Sequence, residues 1–368
     1  MDPTKTAEAF AATVAPWTPA HPRHDHQLVF PLSGGRLMLV WCEYYLRRPS
    51  QAFATPYSAE RSEDDAPCQI SARISTDNGR SWSAKLTLQE NTDVDNVKHP
   101  NLLRLLSGRI LFSYTARDMR NNDLRIYLRH SDDECESWSA PVQISTGAGV
   151  YFTNADHILR HSSGRILLPS HAGPIYGKGD HWQAFCLYSD DDGRTWQAST
   201  KRVDLPARGA EEPAVIERAD GSLLAILRTS LGQLYQATSA DRGETWSEAE
   251  STGLDSPAVA SCMKRIPTTG DLLLIWNNAK PYCHTVPGAT STHQPRNPLT
   301  CAISRDDGAT WERMRNVEDR PGFDNGYPSV TFVGDEALIG YYANVKSGVT
   351  GIVSELRLKI YPIDWFYS

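Results

Sequence analysis

The stretch Ser189-Asp-Asp-Asp-Gly-Arg-Thr-Trp196 follows the pattern S-x-D-x-G-x-(S/T)-W, and this pattern recurs along the chain. The other copies are Ser75–Trp82, Ser239–Trp246, Ser304–Trp311 and a degenerate Ser131–Trp138, in which Cys135 replaces the glycine. Ser and Asp side chains can cap the amides of a turn, glycine adopts positive φ, and the Trp anchors the turn on a sheet. We therefore predict a repeated hairpin tip. A calcium loop of the EF-hand type would need a Glu six residues after the glycine and flanking helices, which are missing.

A second repeat alternates with the octapeptide and consists of a turn followed by an apolar, β-prone run. Its copies begin at or near Gly35, Gly108, Gly164, Gly221, Gly270 and Gly334. Each run predicts a buried strand. Six units in 368 residues leave about 61 residues per unit, enough for a four-stranded blade. The prediction is an all-β, six-bladed β-propeller over residues 21–368, with residues 1–20 as an N-terminal extension and no second domain.

The sixth unit has no octapeptide, so its closure needs a different explanation. The C-terminal run from Val353 to Ile363 alternates apolar and polar residues and is β-prone. We expect it to pair with strands of the first unit and so to close the ring. Repeated blades of this kind leave only short, protected sheet edges.

Composition excludes several classes of protein. Lys and Arg number 37 against 44 Asp and Glu, a net charge of −7, which disfavours a nucleic-acid binder. No apolar run reaches the length of a transmembrane helix, and residues 1–20 do not resemble a signal peptide. The seven cysteines are scattered without a C-x-x-C motif, which argues against a disulfide framework or a structural zinc site. We expect a cytoplasmic protein, or a secreted one if the chain is already processed.

Polar residues flank the predicted inner strands, and in a propeller the ends of these strands converge on the central axis. Those before the turns are Arg23, His24, Asp25, His26, His99, Asn154, Asp156, His157, Glu211, Glu212 and Tyr327. Those after the apolar runs are Glu43, Arg117, His171, Arg228, Asn277 and Asn278. Charged groups at the ends of apolar strands need partners or a ligand, since their burial alone is costly. The set predicts a binding site at one end of the propeller.

The octapeptides together with longer segments resemble the sialidase superfamily over most of the chain. Glu212-Pro-Ala-Val-Ile-Glu217, followed by Leu227-Arg228, is similar to the segment that carries a catalytic Glu and a carboxylate-binding Arg. Gln294-Pro-Arg296-Asn-Pro-Leu-Thr300 resembles the segment of another such Arg, and Gly326-Tyr327-Pro-Ser329 resembles that of the tyrosine nucleophile. Asp64 and Asp65 fall where the family has its Asp acid/base.

The resemblance implies an exo-acting hydrolase of terminal acidic sugars without a cofactor or a metal. Tyr327 would be the nucleophile, Glu212 its base, and Asp64 or Asp65 the acid. Sialidases use a Tyr as nucleophile in place of a carboxylate, because the anomeric carbon of the substrate already bears a carboxylate, which would repel an anionic nucleophile. Glu must remove the phenol proton because Tyr has a pKa near 10. Arg228 and Arg296 would bind the substrate carboxylate through charge-assisted hydrogen bonds.

The chain departs from the family at the first repeat, which lacks the motif F-R-I-P that supplies a third arginine. Asp25 falls at that position, and Arg23 precedes it by two residues, which is about 6.6 Å along the same face of a strand. Arg23 or Arg117 could replace the missing arginine. Asp25 at that position would repel the carboxylate of sialic acid, so the sequence predicts an acidic oligosaccharide or glycoconjugate as substrate and leaves the identity of its terminal acidic sugar open.

Histidines support an alternative reaction. His26, His99, His157 and His171 all fall at predicted ends of inner strands, and imidazole is a general base near neutral pH. A polysaccharide lyase needs an Arg to neutralise a uronate, a His to remove the C5 proton and a Tyr or His to protonate the leaving oxygen. No spacing among these histidines indicates a metal site. A glycan-binding propeller without activity is the third alternative, since fold alone does not establish activity.

Overall fold

The computed structural model describes residues 9–45, 66–91, 96–118, 121, 123–176, 180–280, 295–345 and 353–368. In this part of the chain the regular elements are β-strands and two short 3₁₀ helices, Ser33–Gly35 and Ile363–Tyr367. The all-β class predicted from the repeats is confirmed.

The first nine strands are β1 Phe10–Ala15, β2 Arg23–Pro31, β3 Leu37–Tyr44, β4 Cys68–Ser75, β5 Leu86–Gln89, β6 Asn96–Arg104, β7 Ile110–Asp118, β8 Asp123–Ser131 and β9 Val142–Gln143. They are followed by β10 Val150–Thr153, β11 Leu159–Arg160, β12 Ile166–Gly173, β13 Gln183–Ser189, β14 Gln197–Ala198, β15 Glu211–Glu217, β16 Leu223–Arg228, β17 Gln233–Ser239 and β18 Glu250–Asp255. The last seven are β19 Cys262–Arg265, β20 Leu272–Asn277, β21 Leu299–Ser304, β22 Glu312–Glu318, β23 Phe323–Val333, β24 Glu336–Val345 and β25 Ser354–Pro362.

These strands form a propeller of antiparallel sheets built from consecutive strands. Three sheets have the orders β15-β16-β17-β18, β19-β20-β21-β22 and β10-β12-β13-β14, and β11 also pairs with β12 in the third. A fourth has the order β1-β25-β24-β23, and the fifth has the order β2-β3-β4-β6-β7-β8-β9, with β5 paired to β4. The apolar runs of the second repeat form β3, β7, β12, β16, β20 and β24, the second strand of each consecutive group.

The sequence predicts six blades, whereas in the described part of the chain four stand as separate sheets. The difference lies in the fifth sheet, which has eight strands. A single parallel pair, Cys68 with Asn96, joins β4 to β6 and so connects two groups of strands that the repeats predict as separate blades.

The ring closes through both ends of the described chain. β25 pairs along one edge with β24 and along the other with β1. The C-terminal strand therefore pairs with Phe10–Ala15, which lies within the segment predicted as an extension, and not with a strand of the first repeat unit. Residues 10–15 can take the outer position because the last sheet has no octapeptide hairpin to supply its own outer strand.

The octapeptides form the predicted turns between the third and outer strands. In Ser75–Trp82 the Gly79 amide donates to Ser75 Oγ at 2.9 Å, and the Ser81 amide donates to Asp77 Oδ1 at 2.8 Å. Hydrogen bonds from Ser81 hold the pKa of the Asp77 carboxyl at about 2. The degenerate copy closes in the same way, with Cys135 at a φ of 70°. The structural role predicted for these acidic residues is confirmed, because their oxygens are used by the turn.

The apolar core lies between neighbouring sheets. Leu167 and Cys186, from β12 and β13, pack against Val215 and Leu227, from β15 and β16, and all four are buried. Similar clusters fill the other spaces between consecutive groups of strands. This packing fixes the inner strands around the axis, where the polar ends of β2, β6, β15 and β23 meet.

Candidate active site

Four inner strands contain a bulge at which one residue has a positive φ. These residues are His26 in β2 (49°), His99 in β6 (59°), Glu212 in β15 (43°) and Tyr327 in β23 (48°). The pairing register shifts at each of these points, and proline follows three of the four residues. A β-bulge redirects a side chain, and positive φ in a residue other than glycine is concentrated at functional sites. The repeat thus presents one redirected side chain from each of four strands.

All four of these residues line one cavity of about 160 Å³. The rest of its wall is formed by Arg23, Asp25, Lys98, Phe152, His171, Tyr176, Trp182, Arg208, Glu211, Arg228, Arg296, Tyr342 and Asn344. The volume lies below the ~300–1,000 Å³ of typical sites for drug-sized ligands. It suits one sugar ring better than several.

Arg228 links two of the redirected side chains. Its Nη1 donates to Glu212 Oε2 at 2.7 Å and to Tyr327 Oη at 3.2 Å. Glu211 lies opposite Arg228 in the strand register, and its Oε2 is 3.9 Å from Arg228 Nε. The sequence predicts that Glu212, Arg228 and Tyr327 share a site, and the structure brings them together.

Burial and charge set the protonation of this group. Burial raises the pKa of the Tyr327 phenol, the Glu212 charge raises it further, and Arg228 opposes both effects. Burial also disfavours the Glu212 anion, but Arg228 and His171 outweigh it and hold the pKa of this carboxyl at about 2. The cavity therefore holds a protonated phenol and an ionised carboxylate, both in contact with Arg228.

Arg296 occupies another part of the wall. Its amide donates to Asp324 Oδ1 at 3.0 Å and its carbonyl accepts from the Asn325 amide at 2.8 Å, so β23 holds its backbone. Its Nη1 donates to Tyr342 Oη, and its guanidinium lies 5.8 Å from the centre of the Tyr327 ring. Within the described residues, no carboxylate lies at ion-pair distance from this guanidinium. Arg296 can therefore receive an anionic ligand.

The structure also shows how Asp25 is accommodated. Arg23 Nε donates to Asp25 Oδ2 at 2.7 Å, and His26 Nδ1 lies 2.6 Å from Asp25 Oδ1. Burial favours the protonated acid, but Arg23 and His26 outweigh it and hold the pKa of Asp25 at about 2. Two residues apart on one strand, Arg23 and Asp25 both reach the cavity. Arg23 and His26 thus balance the charge of Asp25. Arg23 therefore pairs with Asp25, in addition to any role in place of the arginine that the first repeat lacks.

Three of the four histidines singled out by sequence line the cavity: His26, His99 and His171. His171 Nδ1 accepts from the Glu212 amide at 3.3 Å, and burial lowers the pKa of its ring to about 3. His157 is not part of the wall within the described residues, and its Nδ1 donates to the Pro213 carbonyl at 3.0 Å. Together with Asp156, whose φ is 62°, His157 lines a second, small cavity beside Lys264.

The family model described as the BNR repeat-like domain matches residues 51–341, which is most of the chain. The chain belongs to the BNR repeat-like domain family. Among its relatives, the sialidase of Paraclostridium sordellii is 28% identical over 211 residues, which cover 50% of this chain and 51% of that protein. The chain spans about half the length of that relative. These matches and the propeller place this BNR repeat-like chain in the sialidase superfamily.

Solved structures share the fold of this BNR repeat-like chain. A Dyadobacter fermentans protein of unknown function has a TM-score of 0.73 and 20% identity, covering 97% of this chain and 98% of that one. A complex of Trypanosoma rangeli sialidase with sialic acid has a TM-score of 0.68 and 15% identity, covering 96% of this chain and 59% of that one. At these identities the likeness concerns the fold alone.

Other predicted residues lie elsewhere. Asp64 and Asp65 fall outside the described residues. Arg117 is not part of the cavity wall in the described chain; its guanidinium stacks 4.1 Å from the ring centre of Tyr176, which is part of that wall. Asp25, His26 and Cys42 lie close enough together to be considered as metal ligands. Arg23 already pairs with the carboxylate of Asp25, so these residues do not fit a cation.

Sequence reasoning missed part of the wall of this BNR repeat-like site. Lys98 immediately precedes His99, while Tyr342 lies in β24 and its Oη accepts a hydrogen bond from Arg296. Phe152, Tyr176 and Trp182 form an aromatic side, with ring centres 5.3 to 6.3 Å apart. A residue followed by proline just before an apolar run, as in His99-Pro100, is a sequence pattern that could have predicted the positions of three of the bulges. No comparable pattern marks the aromatic residues.

Among the described residues no helix is long and apolar enough to cross a membrane.

The buried histidines predict how stability depends on pH. Burial lowers the pKa of His157 to about 4, whereas an unfolded chain binds this proton below about 6.5. The unfolded state therefore binds more protons between these values, and stability falls as the pH drops from about 6.5 to about 4. We expect His157→Asn, which keeps a donor for the Pro213 carbonyl, to remove on the order of 1–3 kcal/mol of this loss.

Thermal unfolding of the wild type and the variant at pH 7, 5 and 4 measures the effect. His130→Asn, outside the cavity wall, serves as the control and should follow the wild type. Equal pH dependence in the wild type and His157→Asn would contradict the prediction.

Proposed function

We propose that this chain is a glycoside hydrolase of sialidase type that releases a terminal acidic sugar, with Tyr327 as nucleophile and Glu212 as its base. One observation carries the proposal: a single nitrogen of Arg228 contacts both the Glu212 carboxylate and the Tyr327 hydroxyl inside a small buried cavity. A purely binding site has no need of a phenol coupled to an ionised carboxylate. The sialidase relatives support the same reaction class.

The proposed chemistry explains the choice of residues. A carboxylate on the anomeric carbon repels an anionic nucleophile, whereas a neutral phenol can approach it. Tyr327 Oη attacks the anomeric carbon while its proton passes to Glu212, and the leaving oxygen takes a proton from a general acid as its bond to the anomeric carbon breaks. Water then bonds to the anomeric carbon and gives a proton back to that acid–base group, the bond to Tyr327 breaks, and Glu212 returns its proton to Tyr327.

Substrate binding would make Glu212 a better base. In the free protein Arg228 holds the pKa of Glu212 at about 2, too low for an efficient base near neutral pH. A substrate carboxylate on Arg228 would share the positive charge and raise the pKa of Glu212. The phenol would then face a stronger base only when substrate is present.

Arg296 would provide the first contact for the substrate carboxylate, since within the described chain no carboxylate occupies it. Arg228 would provide the second contact. Arg23, paired with Asp25 in β2, would form another part of the cavity wall. The sialidase resemblance assigns the proton donor for the leaving oxygen to Asp64 or Asp65, which lie outside the described residues. The substrate is an acidic oligosaccharide or glycoconjugate that enters with its terminal sugar first.

Mass spectrometry of reaction products tests this proposal. The purified protein is incubated with sialosides and with arabinogalactan fragments ending in a sugar linked to glucuronate. We expect two products whose masses add up to the substrate plus one water. Products that sum to the substrate mass, one of them unsaturated, would contradict hydrolysis, and no product would exclude turnover of these substrates.

One observation favours elimination as the second candidate function. His26 and His99 line the same cavity as the arginines, and their ring centres are 4.4 Å apart. A lyase would use one of them to remove the C5 proton of a uronate held by Arg296 and Arg228. The unsaturated product described above is the result expected for this alternative.

We also propose that the eight-stranded sheet represents two blades, so that the described chain forms a single six-bladed domain that includes Phe10–Ala15 in its last blade. In the described part of the chain, the two halves are joined by a single β-pair, Cys68 with Asn96. Six apolar clusters lie between consecutive groups of strands, including one between these two halves.

A further inference from the structure

Asp25 and His26 stand where the sialidase resemblance calls for an arginine followed by an apolar residue, and they form a tightly coupled pair. His26 Nδ1 lies 2.6 Å from Asp25 Oδ1. Because Asp25 is held ionised, this nitrogen carries the hydrogen and donates it. The other ring nitrogen, Nε2, is buried and has no hydrogen-bond partner within the described residues.

The surroundings of His26 place it beside the reacting group. Its ring centre lies 4.0 Å from that of Tyr327, and the side chain is only 3% exposed. The bulge that gives His26 a φ of 49° directs its side chain into the cavity wall. A buried polar atom without a partner is costly unless a ligand or a reaction uses it. A histidine oriented by a carboxylate through Nδ1, with Nε2 available, is the usual arrangement of a general acid–base.

We propose that His26 is the general acid–base for the leaving oxygen and that Asp25 is its positioning residue; this assignment rests on the hydrolytic function proposed above. In the first step Tyr327 Oη bonds to the anomeric carbon, its proton moves to Glu212, and the glycosidic bond breaks as His26 Nε2 gives its proton to the leaving oxygen. In the second step water bonds to the anomeric carbon and gives a proton to His26 Nε2. The bond to Tyr327 then breaks and Glu212 returns its proton. The net change is glycoside plus water to two sugars.

The charge of Asp25 supports this role. The carboxylate accepts a hydrogen bond from His26 Nδ1 and so orients the ring, and Arg23 on its second oxygen keeps the carboxylate ionised. An arginine at position 25, as in the family pattern, would instead repel an imidazolium. Asp25 in place of the family's arginine therefore removes one carboxylate-binding arginine and supplies the carboxylate partner that His26 needs as a general acid–base.

Dependence on the leaving group tests the assignment, because a general acid matters most for leaving groups that are poor without protonation. The substrates are the 4-methylumbelliferyl and the lactosyl glycosides of the acidic sugar released in the product experiment. We expect His26→Gln to lower turnover of the lactosyl glycoside by roughly 10²–10⁴-fold and that of the aryl glycoside by less than about 10-fold. Asp25→Asn should show the same selectivity with a smaller loss.

Controls separate this role from a structural one. His161→Gln removes a buried histidine outside the cavity wall, where its Nε2 contacts the Gly221 carbonyl at 2.9 Å, and it should affect both substrates equally. Equal losses on both substrates in a folded His26→Gln variant would overturn the assignment. So would selective loss in Asp64→Asn or Asp65→Asn with none in His26→Gln. If the wild type hydrolyses neither glycoside, the proposed function itself fails, and the assignment falls with it.

Discussion

Replacing Tyr327 by Phe should lower turnover by roughly 10³-fold or more while leaving substrate affinity nearly unchanged. The change removes only the hydroxyl oxygen that would attack the anomeric carbon. Arg228 keeps its 2.7 Å contact with Glu212, and Arg296 keeps Tyr342, so the groups proposed to bind the carboxylate stay in place. The effect therefore falls on the chemical step and not on binding.

Turnover of the substrate identified by mass spectrometry and its affinity by calorimetry are the two measurements. Tyr235→Phe is the matched control, because Tyr235 lies in β17 and is not part of the cavity wall within the described chain. A Tyr327→Phe variant that keeps more than a tenth of the wild-type turnover would rule out a tyrosine nucleophile. It would leave elimination by a histidine as the better account of the cavity.

Replacing Glu212 by Gln should lower turnover by about 10²–10⁴-fold, the range expected for loss of a general base. Glutamine has the same shape but cannot take the phenol proton. It also removes the anion that occupies Arg228 in the free protein, so affinity for an acidic ligand should stay the same or increase. Lower turnover with undiminished affinity distinguishes the base from a binding residue.

Glu217→Gln is the control for this experiment. Glu217 lies in the same strand but accepts hydrogen bonds from Ser162, away from the cavity. Thermal unfolding of both variants at pH 7 tests whether they keep the fold. We expect Glu212→Gln to stay folded, because Glu211, whose Oε2 lies 3.9 Å from Arg228 Nε, still balances the charge of Arg228. Turnover within threefold of the wild type in Glu212→Gln would contradict the proposed role.

Individual residues show why some features were predictable. The octapeptide turn depends on hydrogen bonds within the seven residues from Ser75 to Ser81, so the local sequence contains the information that the turn needs. The degenerate copy closes in the same way because its Ser131 and Asp133 supply the same oxygens, although Cys135 must take a φ that favours glycine. The family resemblance adds Glu212, Arg228 and Tyr327, which lie together as predicted.

The surroundings of the site could not be read locally. His26 and Tyr327 are 301 positions apart in the numbering, and their ring contact exists only because β2 and β23 are neighbours around the axis. His157 resembles His26 and His99 in its place along the repeat, but in this repeat the positive φ falls on Asp156, and His157 lines a second, small cavity. Asp25 was expected to repel an anion, because the sequence does not reveal that Arg23 and His26 both bind it.

The sequence by itself determined the all-β class, the hairpin turns and the buried strands, because these depend on short-range hydrogen bonding and on the alternation of apolar residues. Only the tertiary structure decided which ends of which strands meet, how the chain closes through Phe10–Ala15, and which charges neutralise one another. Those outcomes depend on packing between sheets that are distant in the chain. The contact of His26 with Tyr327 belongs to this second group, since proximity around the axis, and not spacing in the sequence, creates it.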